Sequence, residues 1–377
     1  AKACQKLCHT EKTFLLTAWV PEEKIPQLEK LLEEFPCYLE VAEPDPEEEP
    51  PVLLKNHKLV EPFEVVTEMY SLPSPHGVDP NIAVAIFYFI FFGIMLSDAG
   101  YGLLLFFGGL FALKKMDLSP FLRKMVKLIT FGGVSTVFWG ALYGSWFGNL
   151  IPQFTLTFLG RQINVPLLLD PLNDPLTILG ISFALGALHL FCGMGYKAYL
   201  LIRRGHPWEA LFDIGFWYMV LVGLPMLVLP GVFRTVGLSL AVVGAVGLIL
   251  TQGRDKKNIF ARLLSGVASL YDITGYLSDL LSYSRILALG LATAVIGNVV
   301  NIMGTLAGGG ILGLLLFIPV FLFGHALNLS INALGSYVHS SRLQYVEFFG
   351  KFYEGGGKPF QPLRANTKYV VVTDKED

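Results

Sequence analysis

Long apolar stretches fill most of this sequence, and short polar or basic stretches separate them. A helix needs about 20 apolar residues to cross a bilayer. We count eight candidate spans, which lie at 82–97, 99–113, about 125–147, 175–201, 208–229, 232–252, 262–304 and 311–349. This pattern predicts an all-α polytopic membrane protein.

The last two candidate spans are much longer than a bilayer requires. At 1.5 Å per residue, a helix of some 40 residues extends for about 60 Å, roughly twice the thickness of the hydrocarbon core. We therefore expect the spans at 262–304 and 311–349 to be strongly tilted, and to pack as an antiparallel pair.

The first 60 residues follow a different pattern. Residues 14–20 favour a strand, residues 21–35 an amphipathic helix and residues 37–42 a second strand, and an acidic, proline-rich linker occupies 43–51. We therefore predict three parts: the end of a cytoplasmic α/β domain with its linker at 1–60, an eight-helix channel domain at 61–350, and a cytoplasmic tail at 351–377.

Composition agrees with a membrane protein. The chain is 53% hydrophobic and 15% charged, with a mean hydropathy of +0.55, whereas soluble domains carry about 25% charged residues. A net charge of −2 says little about partners, and we expect no nucleic acid among them. The cysteines (Cys4, Cys8, Cys37 and Cys192) match no metal-ligand spacing, so we expect neither a metal nor a cofactor.

Basic residues are concentrated in alternate loops. They follow the second, fourth and sixth spans, whereas the intervening loops contain very few. Basic loops stay on the cytoplasmic side, so both termini are predicted to be cytoplasmic. The basic residues of the three loops are Lys114, Lys115, Arg123, Lys124, Lys127, Lys197, Arg203, Arg204, Arg254, Lys256, Lys257 and Arg262.

Arg285 is a permanent charge near the middle of the seventh span. Ser278 and Ser282 lie on the same helical stripe, and the small residues Ala288 and Gly290 follow, which lets another helix approach closely. Charges inside a membrane are costly and are usually functional. The alternative is an ion pair with an internal aspartate that locks the bundle.

The eighth span carries a polar stripe along one face. Its members recur at spacings of three and four, and they are His325, Asn328, Asn332, Ser336, His339 and Arg342. Such a stripe either holds helices together by hydrogen bonds or lines a hydrated path for ions. We favour the hydrated path, because two histidines and an arginine share the stripe.

Four further polar residues are candidates. Asp272 and Asp279 precede Arg285 on the same helix, and therefore lie nearer to the cytoplasm. Asp98 lies in the turn between the first two spans, and His189 lies in the middle of the fourth. The structural alternatives are an interfacial position for Asp272, turn formation for Asp98 and simple packing for His189.

Three motifs together resemble one family. They are LSYSRILALGLA, HSSRLQYVEFFGKFYEGGGKPFQPL and FFGIMLSDAGYG. They resemble subunit a, also called subunit I, of V-type and A/V-type rotary ATPases. The resemblance extends over nearly the whole chain, fits the prokaryotic form best, and implies that most of that subunit's N-terminal cytoplasmic domain is absent.

The resemblance implies the static membrane subunit of an ATPase or ATP synthase in a prokaryotic plasma membrane, without a catalytic site of its own. Arg285 would face a rotating ring of small hydrophobic subunits that carry carboxylates, and Arg342 would support it. The other partners would be a peripheral stalk, soluble ATPase subunits and lipid.

The resemblance also implies two half-channels for H⁺ or Na⁺. We expect Asp279 on the inner route, and we expect Asp98, His189, His325, Asn328 and Asn332 on the outer route. Three positions differ from eukaryotic relatives of that family. Where this chain has Asn332 and Tyr271, those relatives carry a Glu, and where it has Thr293, they carry a His.

Two other functions fit part of the pattern. An ion-coupled secondary transporter would also contain buried charges, but it usually shows internal repeats and broken helices, and we find no such repeat. A membrane anchor for a soluble complex would not need Arg285. The sequence contains no phosphate-binding loop motif for nucleotides.

Overall fold

The computed structural model describes residues 8–9, 13–45, 48–254, 256 and 258–362. The chain divides into two units. The first consists of the described residues within 1–53, 72–76 and 355–377, and the second consists of those within 54–71 and 77–354.

The first unit contains little regular structure. Strands β1 (Cys8–His9) and β2 (Phe14–Leu15) form one antiparallel pair, and β3 (Leu72–Pro73) and β4 (Gly355–Gly357) form another. Helix α1 covers Ile25–Leu32, after a 3₁₀ turn at Glu22–Lys24.

The predicted strands of this unit are largely wrong. Residues 14–20 form a strand only at Phe14–Leu15, and residues 37–42 form none. A strand is stable only when its backbone groups bond to a neighbouring strand. Among the described residues, no strand pairs with residues 37–42. The predicted helix at 21–35 is present but shorter.

The second unit is helical. It begins with a 3₁₀ turn at Glu61–Phe63, and 3₁₀ and π-helical turns also occur at Leu211–Gly215, Leu270–Asp272 and Leu343–Phe349. Its helices are α2 (Glu64–Tyr70), α3 (Asn81–Leu96), α4 (Ala99–Lys115), α5 (Pro120–Leu142), α6 (Leu150–Leu159), α7 (Pro175–Arg203), α8 (Pro207–Ala210), α9 (Phe216–Met226), α10 (Val232–Thr251), α11 (Ile259–Ser269), α12 (Ile273–Ser282), α13 (Ser284–Thr305), α14 (Ile311–Arg342) and α15 (Gly350–Phe352).

Six helical segments among the described residues are long and apolar enough to cross a membrane. They are Pro120–Leu142, Pro175–Arg203, Pro207–Met226, Val232–Thr251, Ile259–Thr305 and Ile311–Phe352. The first two predicted spans form α3 and α4, which contain 16 and 17 residues. Six helical segments are thus candidate spans by their length and composition, and the predicted number of eight stays a prediction.

Helix α3 occupies the centre of the second unit. It is apolar on every side, and a helix of that kind is usually buried. Phe87, Phe91, Phe92 and Met95 are all buried in the main hydrophobic core. Its hairpin with α4 packs closely on α5, where a Cβ atom at Gly140 would lie only 2.1 Å from the backbone nitrogen of Ala99.

The two long C-terminal segments contain 47 and 42 residues, as their sequence patterns predicted. They are antiparallel, because successive contacts run in opposite directions along the two helices. Gly335 lies near Leu289, Asn328 bonds to Thr293, and Phe317 lies near Gly304.

One helix was not predicted. The sequence pattern left 148–174 as a loop, but Leu150–Leu159 forms the ten-residue helix α6. It is too short to cross a bilayer. It instead packs on the end of α13, where Gln153 donates a hydrogen bond to Thr305 at 2.9 Å.

Candidate functional site

Arg285 lies two residues after a turn in the long helical segment Ile259–Thr305. Helix α12 ends at Ser282, the turn at Tyr283 interrupts it, and α13 begins at Ser284. The Tyr283 ring is fully buried and packs over Gly186, where any Cβ atom would lie 2.5 Å from the ring. The absence of a side chain at Gly186 therefore lets the Tyr283 ring pack against α7, two residues before Arg285.

Four ionisable side chains meet at this level, and we call them the arginine site: Arg285, His339, Arg342 and Glu347. Arg285 interacts electrostatically with Arg342 and Glu347, and His339 interacts with both arginines. Arg342 is exposed at the surface of this chain, whereas Glu347 is 1% exposed. The hydroxyl of Ser282 lies beside the Glu347 carboxyl.

Several buried polar atoms at this level have no hydrogen-bond partner among the described residues. They are Arg285 Nη1, Ser336 Oγ, His339 Nδ1, Gln344 Nε2 and Glu347 Oε2. Buried polar atoms are nearly always paired, and each unpaired one costs about 1–3 kcal/mol. The arginine site therefore requires water, or a group of another chain, to complete it.

Sequence analysis missed Glu347. It lies in the π-helical turn Leu343–Phe349, which turns both Gln344 and Glu347 into the interior. π-Helical turns occur frequently at functional sites. A signal was present, because Glu347 is a carboxylate inside an apolar segment, which is the rule that selected Arg285.

The polar stripe of the eighth span faces the interior of the chain. His325, Asn328, Asn332 and Ser336 are each buried. His325 Nδ1 lies 2.6 Å from the Tyr101 hydroxyl, and His325 Nε2 lies 3.0 Å from Asn301 Oδ1.

Asn328 continues this network. Its amide donates to the Tyr101 hydroxyl at 2.8 Å and to the Thr293 carbonyl at 3.1 Å, while Asn332 donates to Asn328. The part of the stripe from His325 to Asn332 is therefore well bonded within the chain, whereas Ser336 Oγ and His339 Nδ1 have no hydrogen-bond partner among the described residues. Tyr101 was missed because an aromatic residue in an apolar helix is usually a packing residue.

Asp98 caps α4 and is almost fully buried, at 1% exposed. Its Oδ1 accepts from the backbone N–H groups of Tyr101 and Phe147, both at 3.0 Å. Its Oδ2 accepts from the Ser145 hydroxyl and the Gly148 N–H, both at 2.7 Å. The carboxylate thus joins the α3–α4 turn to the loop after α5.

A sequence model of the V-type ATPase 116kDa subunit family matches residues 4–159 and 273–365. The chain belongs to this family. The matched ranges contain Asp98, Arg285, Arg342 and Glu347, whereas His189 lies between them. This family membership and the long apolar helices together indicate a multi-pass membrane protein.

Named relatives agree with this assignment. The chain is 35% identical to the A-type ATP synthase subunit I of Methanocaldococcus jannaschii, over 96% of this chain and 56% of the relative. It is 36% identical to that of Pyrococcus horikoshii, over 95% and 55%. The V-type ATP synthase subunit I of Chlamydia pneumoniae is 27% identical, over 100% and 64%. The chain thus spans about half the length of the curated relatives it matches.

His189, which the resemblance assigned to the outer route, has its contacts near the arginine site. It bonds to the Tyr283 hydroxyl at 2.8 Å and to Gln344 at 3.1 Å, and it stacks on Phe348. It therefore belongs to the level of the arginine site. Its position in α7 indicated the depth in the membrane, but the neighbouring side chains depend on helix packing, which a sequence pattern does not reveal.

Asp272, Ser278 and Asp279 lie along α12 and the turn that precedes it. Asp279 forms an ion pair with Lys351 at 2.5 Å, and the Lys351 ammonium lies 4.4 Å from the centre of the Tyr276 ring. Asp272 is exposed and lines an open pocket of about 400 Å³ with Tyr276 and Lys351. Ser278 is exposed, and its carbonyl accepts from Ser282.

The described residues contain no group of three or more His, Cys, Asp or Glu side chains that could hold a metal ion. The carboxylate of Asp98 accepts hydrogen bonds, that of Asp279 pairs with a lysine, and that of Glu347 lies near the two arginines. The chemistry that this arrangement supports is therefore charge stabilisation and proton or cation transfer.

Proposed function

We propose that this chain is the static membrane subunit of an A/V-type rotary ATPase or ATP synthase, and that it carries H⁺ or Na⁺ past a rotating ring. Family membership supports the type of complex. The arrangement of the arginine site supports the role, and it is the observation on which the proposal chiefly rests.

The arginine site is suited to act on a carboxylate of another subunit. Arg342 is exposed and Arg285 is partly exposed, so a passing helix can reach both. Nearby positive charge favours the ionised form of a carboxylate, so a ring carboxylate that arrives neutral would release its ion here. The same charges repel cations and prevent a direct leak between the two routes.

Two polar routes lead to this level. The outer route is the polar stripe, which continues from His325 through Asn328 and Asn332 towards the arginine site. The inner route runs from the open pocket at Asp272 past Asp279. Glu347 lies beside Ser282 and Arg285, where it can accept a released proton.

The topology of eight spans with cytoplasmic termini belongs to this proposal. Helices α3 and α4 are short for a bilayer, but most of α3 and the beginning of α4 are buried among the other helices, so they need not match the lipid thickness. A cysteine at Gly309 should react with a membrane-impermeant thiol reagent from outside, and a cysteine at Lys256 should not. The reverse pattern would invert both routes.

The proposed partners are a ring of small carboxylate-bearing subunits, a peripheral stalk, soluble ATPase subunits that hydrolyse or make ATP, and lipid of a prokaryotic plasma membrane. Purification in mild detergent should recover the chain with the ring. Ion transport by the purified chain without a ring would instead indicate a secondary transporter.

The decisive experiment replaces Arg285 in the assembled complex. Arg285→Ala should leave assembly intact but abolish ATP-driven ion pumping in sealed vesicles, and Arg285→Lys should restore little, because a lysine lacks the planar, two-pronged geometry. Arg234→Ala is the matched control, since Arg234 is an exposed arginine at the outer end of α10. Normal pumping by Arg285→Ala would refute the proposal.

A further inference from the structure

A polar pocket lies on the side of the membrane domain where the loops contain few basic residues. It has a volume of about 210 Å³, and it lies between the loop after α5, the segment before α7 and one face of α13. Its polar lining comes from Ser97, Ser145, Asn149, Asn164, Asp170 and Asn298. One water occupies about 30 Å³ of liquid, so this outer pocket has room for several.

Tyr143 indicates that the outer pocket takes a polar occupant. The residue lines the pocket and is only 5% exposed. Its hydroxyl finds no hydrogen-bond partner among the described residues. A buried hydroxyl without a partner costs about 1–3 kcal/mol, so water or a hydrated ion at this position would remove the cost.

The charges around the outer pocket favour a cation. None of the described residues that line it is a lysine or an arginine. The Asp98 carboxylate lies next to the wall, because Ser145 and Gly148 both line the pocket and bond to Asp98 through a hydroxyl and an N–H. Acidic clefts without basic neighbours raise the local concentration of cations.

Hydrogen bonds connect the pocket wall to the polar stripe. The side chain of Asn301 donates to Asn149 in the wall at 3.2 Å and to the Phe147 carbonyl at 2.7 Å. Its amide nitrogen is thus the donor, and its oxygen must accept from His325 Nε2. His325 then carries its proton on Nε2 and accepts from the Tyr101 hydroxyl at Nδ1.

We propose that the outer pocket is the mouth through which a small hydrated monovalent cation, hydronium or Na⁺, passes between the outside solution and the polar stripe. This inference rests on the proposed function, and it adds the location and the lining of the outer opening. The connection runs through Asn149 and Asn301 to His325, and Asp98 attracts the cation without contacting it.

The test places a charge at the rim of the outer pocket. Leu167 lines the pocket, is 51% exposed and packs over Gly144, so Leu167→Cys should fold normally. In the assembled complex with its native cysteines replaced, this cysteine is modified from outside with a cationic or an anionic methanethiosulfonate of similar size. The cationic adduct should slow ion transport in vesicles at least fivefold, whereas the anionic adduct should change it less than twofold.

Leu159→Cys provides the matched control. Leu159 is the last residue of α6, is 61% exposed and does not line the outer pocket, and neither adduct there should affect transport. Equal slowing by both adducts at Leu167→Cys, or normal transport despite complete modification measured by mass, would overturn the inference. Those outcomes leave the proposed function intact, since Arg285→Ala, assayed in the same vesicles, tests that function separately. Repeating the transport assay with and without Na⁺ identifies which cation uses the mouth.

Discussion

Removal of the Asp98 carboxylate tests whether this residue carries protons or holds the structure. Four donors converge on it, and two of them, the N–H groups of Tyr101 and Gly148, belong to buried residues. In Asp98→Ala these two lose their acceptor, at about 1–3 kcal/mol each. The Phe147 and Ser145 donors are partly exposed and can bond to water. The expected loss is therefore about 2–6 kcal/mol.

Asp98→Asn should have a smaller effect. The amide oxygen still accepts two of the bonds, but the amide nitrogen then faces a donor at Gly148, and the bonds that remain lose the charge that strengthens them. Ser145→Ala should cost least, about 1 kcal/mol, because it removes one donor and leaves the carboxylate with three. The predicted order of destabilisation is therefore Asp98→Ala, then Asp98→Asn, then Ser145→Ala.

The assay is the apparent melting temperature of the assembled complex in detergent at a fixed heating rate, because membrane complexes commonly unfold irreversibly. At about 2–4 °C per kcal/mol, Asp98→Ala should melt at least 4 °C below the native complex. An unchanged melting temperature, combined with lost ion transport in Asp98→Asn, would refute the structural role and identify Asp98 as a proton carrier.

Three further predictions follow from single contacts. Gly140→Ala should lower the melting temperature by several degrees, because its Cβ atom would lie 2.1 Å from an α4 backbone nitrogen. Gly180→Ala should not lower it, because no atom lies within 4 Å of that Cβ position. Equal melting temperatures of the two variants would contradict this. The Arg204 guanidinium lowers the pKa of Glu354 below its usual 4.5, so the pair stabilises the fold above that pH and loses its effect as the pH falls through the lowered pKa. Both side chains are exposed, and the melting difference of Arg204→Ala at pH 7 should correspond to about 0–1 kcal/mol and vanish in acid. Asp279→Asn should slow ATP-driven pumping without stopping it, because water can relay protons past one lost carboxylate, and a complete stop would contradict the proposed inner route.

Hydrophobic length and isolated charges were the reliable signals in this sequence. The 47- and 42-residue segments were visible as apolar stretches too long for a bilayer. Arg285 could be recognised because a charged side chain in the middle of an apolar span is rare and is usually functional. The same rule, applied to every carboxylate in the last span, would also have identified Glu347.

The sequence did not predict which side chains of different helices contact each other. His189 was correctly expected near the middle of its span, but its partners Tyr283 and Gln344 come from two other long segments. Tyr101 and Asn301 enter the site only because α4 and α13 pack against α14. Helix packing depends on small residues and shape over the whole surface, so a periodic pattern in one helix does not specify which helix it meets.

The last long segment, Ile311–Phe352, has two parts with different hydrogen bonding. This difference bears on how the chain works. Around His325 and Asn328, the polar side chains are paired with groups of this same chain, so their geometry is set before any partner arrives. Around His339 and Glu347, buried polar atoms lack partners among the described residues. This arrangement suits the proposed static channel subunit, because each carboxylate of the proposed ring could complete the cluster of charges for a moment and then leave. A self-sufficient transporter would instead be expected to satisfy its central site with its own residues.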